Sequence, residues 1–477
     1  MARLENSNSS LENVLNGLNK AANIITSTMG GTGRNVIFYQ DRDLSFTKDG
    51  VSVARKIAFA NKEEDAGAQL LINAANQTVK QCGDGTTLTC LLTQHLTNNI
   101  ISEIETRAVN DVLDEGLSEL TKVIDYLKEK STKIETVSQI FNIAMTSCKS
   151  ERLARLIQEI YNKTGLKANI SVEMSQHFNN TYYEISKGLT FNSGLVHPSF
   201  SNQANGNFSA EKPYIWIIDE VATAISDYVD IIDDKHKQKI PLVIIAKDFS
   251  DSFIKYVLTN KIQNGLNICL LKHPGYGESI REDLKDLKTF LTNGYCNKIT
   301  VTPYEFIIYN NPDKKRVKTR INHLNSQLEV ASTDFDKSTL LRRISNLEQV
   351  SAIIYVGGVT LKNAQEEFDR IEDAVGACKA SLKLGVVKGQ GTALYEYAQI
   401  NQDVLPRWFY KTLKAQSYKI LENANLQLEP TFEPFNVKTR MMDPTLTDPT
   451  DVIVQALLNS FGMSQLIVNS SYIITDN

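Results

Sequence analysis

Residues 83–87 read Gly-Asp-Gly-Thr-Thr and lead directly into LTCLLTQHLTNNIISEI, a long run with helical spacing. Two glycines around a carboxylate make an ordinary turn, and Asp or Thr is an ordinary helix N-cap. The same residues suit a second use. A helix N-terminus carries unpaired N–H groups and partial positive charge, which attract phosphate. Glycines let the backbone approach an anion closely, and an aspartate beside them suits Mg²⁺. Alone, the turn is compatible with both uses, because short glycine motifs recur by chance.

The 477-residue chain is longer than the roughly 250–300 residues at which single cores stop growing, so more than one domain is expected. Its 42% hydrophobic and 22% charged content is that of an ordinary globular protein. A formal net charge of −4 gives no electrostatic reason to expect nucleic acid as a partner. No apolar run approaches the roughly 18 residues of a membrane span, so no membrane partner is expected. The start, MARLENSNSSLENV, lacks a signal-peptide apolar core, and a cytoplasmic location is expected. Cys82, Cys90, Cys148, Cys269, Cys296 and Cys378 are scattered without a C-x-x-C pair, which speaks against zinc and fits a reducing compartment. The histidines form no H-E-x-x-H pattern, and G-x-S-x-G is absent, disfavouring a metallohydrolase or serine hydrolase.

Along the chain, Leu11, Val14, Leu15, Leu18, Ala22 and Ile25 predict an amphipathic helix over 10–28, ending in the glycine-rich TMGGTGRNV. A turn at Thr47-Lys48-Asp49-Gly50 and a helix over 62–81 follow, then the Gly83 turn and another long helix. The middle differs. Strand-like runs at 214–219, 242–246 and 267–271 alternate with helix-like segments at 223–234 and 250–263, predicting an α/β region with a buried sheet. Helical spacing returns around 330–348 and strongly at 361–384. GVVKGQGTALYEYAQ then forms a second glycine turn entering a helix, and the tail from 451 is helical before a strand-like SYIITD. A helical region is therefore interrupted by an inserted α/β region.

No turn matches G-x-x-x-x-G-K-[ST], and Gly389-Gln390-Gly391 is only a fragment of a dinucleotide fingerprint. In order and spacing, however, TMGGTGRNV, TKDGVSVARKI, GAQLL, GDGTT, IEDAV, GVVKGQGTAL and TDPTDV resemble the nucleotide-site motifs of group I chaperonins, the GroEL-like 60 kDa heat-shock family. The resemblance runs from about residue 10 to YIITD. It implies a multidomain α and α/β fold. The implied domains are a split helical equatorial domain over 1–130 and 385–477, an intermediate hinge domain over 131–187 and 351–384, and an inserted α/β apical domain over 188–350. It further implies a Mg²⁺-dependent ATPase, with K⁺ as a second cation. The implied assembly is a homo-oligomeric ring, heptameric in the family and single or double, that captures non-native polypeptides, with a co-chaperonin lid as a further partner.

Position by position, Asp84 matches the aspartate that holds Mg²⁺ on the nucleotide phosphates, within the phosphate loop of Gly83, Gly85, Thr86 and Thr87. Thr28, Met29 and Gly30 match the loop lying along the nucleotide. Asp49 matches the carboxylate near the transferred phosphate, and Asp373 the aspartate swung in to position the attacking water. Gly389 matches the ribose-side turn, Asn436 the adenine contact and Asp448 the ribose carboxylate. Phosphoryl transfer needs positioning and charge neutralisation, which a metal and two carboxylates supply. Outside this context each carboxylate reads as a solvated charge or a helix cap. For polypeptide capture the resemblance implies Leu195 and Phe200, Val229 and Ile232 on the 223–234 helix, and Ile254, Val257 and Leu258 on the 250–263 helix. Periodicity alone places the same side chains in a core.

The chain also departs from the family pattern. Gly31 replaces a usual proline and Thr32 a usual lysine, and Gln390 breaks a glycine triplet. Gln349-Val350 replace paired hinge glycines, while Gly188 and Gly385 remain. The chain stops at Asn477 without a Gly-Met tail. These features resemble a divergent branch such as chaperonins carried by large bacterial viruses, which would place the protein in a host cytoplasm. A holdase or scaffold with little ATP turnover is the alternative. The intact Asp49, Asp84 and Asp373 favour the ATPase.

Overall fold

A computed structural model describes residues 7–40, 43–166, 168–175, 180–191, 193–203, 206–273, 278–330, 334–348, 350–358 and 360–470. The chain divides into two compact units. One comprises Met1–Asn162, Val172–Thr181 and Val356–Asn477, the other Lys163–Ser171 and Tyr182–Tyr355. The SYIITD run, Gln349 and residues 274–277 lie outside the described residues.

The first unit is built on helices whose small residues permit close approach. Ser7–Thr26 packs on Lys62–Cys82, and the crossing is fixed by two glycines. A Cβ at Gly17 would sit 1.8 Å from the Glu64 carbonyl oxygen, and one at Gly67 would sit 1.9 Å from that of Val14. Leu18, Ala21, Ala22 and Ile25 fill the seam against Ala68, Leu71, Ile72 and Ala75. Thr86–Ile104 is apolar or hydroxyl-bearing nearly all round, as a central helix must be. Two of its threonines return their hydroxyls to neighbours, Thr89 to the Gly85 carbonyl at 2.9 Å and Thr97 to Ser464 at 2.9 Å. The helix Thr450–Val468 has the length and hydropathy of a membrane span, but most of it is buried in this core. An antiparallel hairpin, Val36–Gln40 with Asp43–Thr47, leaves Ile37, Tyr39 and Phe46 exposed.

The second unit holds the expected alternation. Tyr214–Ile217, Leu242–Ala246 and Ile268–Lys272 form a three-stranded parallel sheet with Leu242–Ala246 in the centre. Leu242–Ala246 is buried throughout, the pattern of a strand covered on both faces. A six-stranded sheet was not predicted. Its order is Asn169–Met174, Val350–Val356, Tyr182–Phe191, Phe306–Asn310, Lys298–Val301, Phe208–Glu211. The helices Glu278–Phe290, Lys314–Val330 and Asp334–Glu348 are joined by a buried ion network, in which Arg343 reaches Asp286 at 2.7 Å and Arg320 reaches Asp286 at 2.7 Å.

Burial corrects three of the polypeptide-binding assignments. Phe200 is fully buried in the short 3₁₀ turn Pro198–Phe200, and Ile232 and Val257 are core residues at 6% and 1% exposure. The helix expected over 223–234 begins only at Val229, after a separate turn at Ile225–Asp227. On Asp251–Asn264, Phe253 and Val257 face inward. Ile254 and Leu258 pack only partly against the core, and Ile262 continues their i, i+4 stripe at 75% exposure. Leu195 and Val229 are half-buried.

Ile232→Ser is therefore expected to lower folding stability by about 2–5 kcal/mol through cavity formation and polar burial. Ile262→Ser should stay within about 0.5 kcal/mol of the parent. Chemical denaturation of both variants checks the assignment of faces; equal effects would contradict it.

Candidate functional site

The Gly83 turn is dictated by backbone geometry and by space together. Gly83 closes Lys62–Cys82 at φ 72°, and Gly85 opens Thr86–Ile104 at φ 103°, both in the left-handed region that favours glycine. A Cβ at Gly85 would meet Val452 Cγ1 at 2.8 Å, and one at Gly83 would meet the Cα of Gly376 at 2.8 Å. Because a glycine caps it, the Thr86–Ile104 helix has no side-chain cap, and its first N–H groups have no capping acceptor. The Thr86 hydroxyl is buried without a partner. Thr87 Oγ1 would lie 2.5 Å from a Cβ at Gly50, so the hydroxyl rests directly over the Asp49-Gly50 turn.

Gly376 belongs to Leu361–Leu384, and Asp373 stands one turn before it on the same face. The glycine contact thus brings Asp373 into the electrostatic field of Asp84 and Asp49. Burial, then repulsion from Asp84, Asp49, Glu372 and Asp369, pushes the Asp373 carboxyl well above the ordinary range. Asp84 is pushed up to about 6 by burial, with Asp49 adding to the shift. The Gly85 N–H donates to its Oδ1 at 2.5 Å and, with Lys149, opposes the shift. Asp49 is also a helix cap. Its Oδ2 accepts from the Ser52 N–H at 2.6 Å and its Oδ1 from the Val51 N–H at 3.3 Å.

Lysines converge on the first glycine loop, and the charge of Lys149 acts on Asp84 and Asp373. Lys48 Nζ donates to the Gly31 carbonyl at 3.4 Å and Lys149 Nζ to that of Gly30 at 3.5 Å. The Lys438 Cε lies 3.4 Å from the Cβ position of Gly31. Burial, then the charges of Lys149, Lys438 and Arg370, lowers Lys48 to about 8. Within the loop itself, the Thr28 hydroxyl donates to the Ile25 carbonyl at 2.8 Å, and Met29 is a core residue. Their side chains therefore serve packing, and what the loop offers a ligand is the Gly30 and Gly31 backbone. Asn423 pins this loop through Nδ2 to the Thr26 and Met29 carbonyls at 2.9 and 3.0 Å.

A third turn completes the arrangement. Val386–Lys388 pairs with Thr447–Pro449, setting Val387 opposite Asp448. The N–H groups of Gly391 and Gln390 and the Gln416 side chain donate to Asp448, whose carboxyl burial nevertheless pushes up to about 6. Gly389 passes the Leu446 carbonyl so closely that a Cβ would lie 2.9 Å from its oxygen. Asn436 has both polar atoms engaged locally. Its Oδ1 accepts from the Lys438 N–H at 3.1 Å and its Nδ2 donates to Asp443 at 3.3 Å.

A phosphate chain and a divalent cation fit this set. A free helix N-terminus, an unpartnered Thr86 hydroxyl and mutually repelling lysines suit an anion. Mutually repelling carboxylates suit a cation. Among the described residues no group of three His, Cys, Asp or Glu could hold a metal ion. Such poverty of protein ligands is usual for Mg²⁺, which keeps waters and phosphate oxygens in its shell. Lys149, Lys438, Asn423 and Gln416 were missed in the sequence. Only a turn-proximal charge marked the first two, and nothing marked the others.

Each carboxylate with a raised pKa adds stability that is complete below its unfolded value and lost as pH rises through its folded one. For Asp448 that window runs from 3.8 to about 6. Asp448→Asn should raise the unfolding midpoint of the nucleotide-free protein at pH 7.5 by about 1–3 °C. It should change little at pH 3.8 or below, as thermal melts across the range will show.

The chain matches known proteins over nearly its whole length. Residues 21–401 match the model of the TCP-1/cpn60 chaperonin family. The chain is 27% identical to the mitochondrial chaperonin CPN60-1 of Cucurbita maxima, over 97% of this chain and 88% of that protein. It is equally 27% identical to the chaperonin GroEL of Acholeplasma laidlawii, over 98% of this chain and 95% of that protein. Its structure is similar to that of chaperonin gp146 from a Pseudomonas aeruginosa bacteriophage, EL 2, crystallised in the presence of ATP-BeFx. The TM-score is 0.75 at 20% identity, covering 99% of both chains. A second crystal form of gp146 gives 0.67 at 21% identity over the same shares.

Proposed function

Because the chain belongs to the TCP-1/cpn60 chaperonin family, as a divergent group I member, we propose that it is a Mg²⁺-dependent ATPase. In this reading copies assemble into a ring, capture non-native polypeptides and promote their folding. One observation carries the ATPase reading: Asp373 is held over the Asp84 turn by the contact of Gly376 with Gly83.

Bound Mg²⁺ supplies charge neutralisation at the phosphate oxygens. Asp84 is the residue to hold it, while the free N–H groups at Thr86 and Thr87 orient those oxygens. Lys48 and Lys149 add positive charge beside the Gly30 and Gly31 carbonyls. Asp373, with its proton affinity raised by burial and by Asp84, suits a group that accepts a hydrogen bond from the attacking water. Asp49, fixed by its two capping N–H groups, sets a further carboxylate beside both.

The reading of the remaining surfaces follows the same family. The exposed apolar hairpin residues Ile37, Tyr39 and Phe46 support contact with a second copy of the chain. Ile254, Leu258 and Ile262 support a revised capture stripe on Asp251–Asn264, in place of the buried Ile232, Val257 and Phe200. Six buried free thiols agree with a cytoplasmic location.

Asp373→Ala is expected to lower kcat by roughly 10²-fold or more while nucleotide still binds. Asp84→Ala is expected to weaken Mg²⁺-nucleotide binding itself. Steady-state turnover and calorimetric titration separate the two, and parental turnover in Asp373→Ala removes it from the site.

Capture of a denatured client should fall in Ile254→Ser and Ile262→Ser without loss of the native fold, since each apolar side chain contributes roughly 1.5–3 kcal/mol when covered. Client aggregation assays beside thermal melts read this out. Undiminished suppression of aggregation would move the capture surface elsewhere.

A further inference from the structure

Two residues that hydrogen-bond Asp448, Gln390 through its backbone and Gln416 through its side chain, each carry a buried amide Oε1 without a hydrogen-bond partner. Gln416 lies on Arg407–Asn423 and is only 8% exposed. It is held against the glycine turn, since a Cβ at Gly391 would sit 2.9 Å from the Gln416 Cβ. Its Nε2 donates to Asp448 Oδ2 at 3.5 Å, so the nitrogen end of the amide is aimed at the carboxylate while the oxygen is idle. Gln390 occupies the crown of the turn at φ 59°, a left-handed conformation that a glycine would adopt more easily. Its N–H donates to Asp448 and its carbonyl accepts from Ser417 Oγ at 3.2 Å. Its side-chain oxygen is buried and lacks a partner.

Buried carbonyl oxygens are rarely left unpaired, and two on residues that both contact one carboxylate call for donors. A metal cation is a poor answer, because three N–H groups already point at Asp448, from Gln390, Gly391 and Gln416. An exocyclic amine gives donors but cannot accept from the loosely held Gln416 Nε2. A vicinal diol does both, since each hydroxyl donates and accepts, and acidic residues commonly hold ribose hydroxyls.

We propose that Gln390 and Gln416 read the sugar of the nucleotide, their amide oxygens accepting from ribose hydroxyls beside Asp448, so that the site prefers ribonucleotides to 2′-deoxyribonucleotides. This rests on the nucleotide-binding reading above. In that site Asp448 contacts the sugar, and the two glutamines determine specificity.

The test is calorimetric titration of the full chain with ADP, 2′-deoxy-ADP and IDP in the presence of Mg²⁺, which needs no turnover. The parent should bind ADP roughly 10- to 100-fold more tightly than 2′-deoxy-ADP, the loss expected when buried polar groups are left unpaired. Gln390→Met and Gln416→Met, each of which removes one idle oxygen at similar volume, should narrow that ratio several-fold while leaving the ADP to IDP ratio unchanged. Equal binding of ADP and 2′-deoxy-ADP by the parent overturns the inference alone. So does an unaltered ratio in both variants, which would leave discrimination to Asp448. A shift in the ADP to IDP ratio instead would assign the oxygens to the base and overturn it too. Failure to bind any of the three nucleotides overturns the nucleotide reading and this inference together.

Discussion

The site depends on a contact between two backbones. Gly83 and Gly376 approach so closely that a Cβ on the first would lie 2.8 Å from the Cα of the second. A Cβ on the second would lie 2.5 Å from the Gly83 carbonyl oxygen. Neither position admits a side chain without moving the Leu361–Leu384 helix away from the turn. The separation between Asp373 and the Asp84 loop is therefore set by main-chain van der Waals contact, which is stiffer than any side-chain contact. Gly83 carries a second constraint at φ 72°, so one residue fixes both the turn and the docking of the helix upon it.

Holding carboxylates this close opposes folding in the nucleotide-free protein. Burial and mutual repulsion raise Asp373 and Asp84, while burial and neighbouring cations depress Lys48 and Lys149. The two sets are only partly paired with each other. The charge of Lys149 acts on both Asp84 and Asp373, yet its nitrogen donates to the Gly30 carbonyl. A polyanion with a bound divalent cation satisfies both sets at once, so the binding energy of such a ligand is drawn from strain already present. Strained electrostatics of this kind are where stability and activity trade against each other.

Much of this was legible in the sequence wherever backbone chemistry decides the outcome. The helices at 62–81 and 361–384 were predicted within one residue of Lys62–Cys82 and Leu361–Leu384, because caps and glycines mark their ends. The six-stranded sheet was not predicted. Phe208–Glu211 and Lys298–Val301 pair across a long separation, and each is too short to carry a periodic signal. Val257 failed as a capture residue for another reason. Asp251–Asn264 carries two adjacent apolar stripes, Phe253 with Val257 and Ile254 with Leu258 and Ile262, about 100° apart. Periodicity finds both stripes, but only the packed fold says which faces the sheet. Gln416 and Asn423 were illegible because their roles come from where Arg407–Asn423 docks, not from local pattern.

Asp49 shows why a structural and a functional reading of one residue need not compete. As a cap it accepts from the Val51 and Ser52 N–H groups, which supplies the acceptors that Gly50–Ala54 lacks. Those same bonds fix the carboxylate where its charge acts on Asp84 and Asp373. A five-residue helix has little propensity of its own, so the cap is needed for the turn to persist. The negative charge beside the Gly83 turn is then a by-product of local folding, held by the two capping N–H groups.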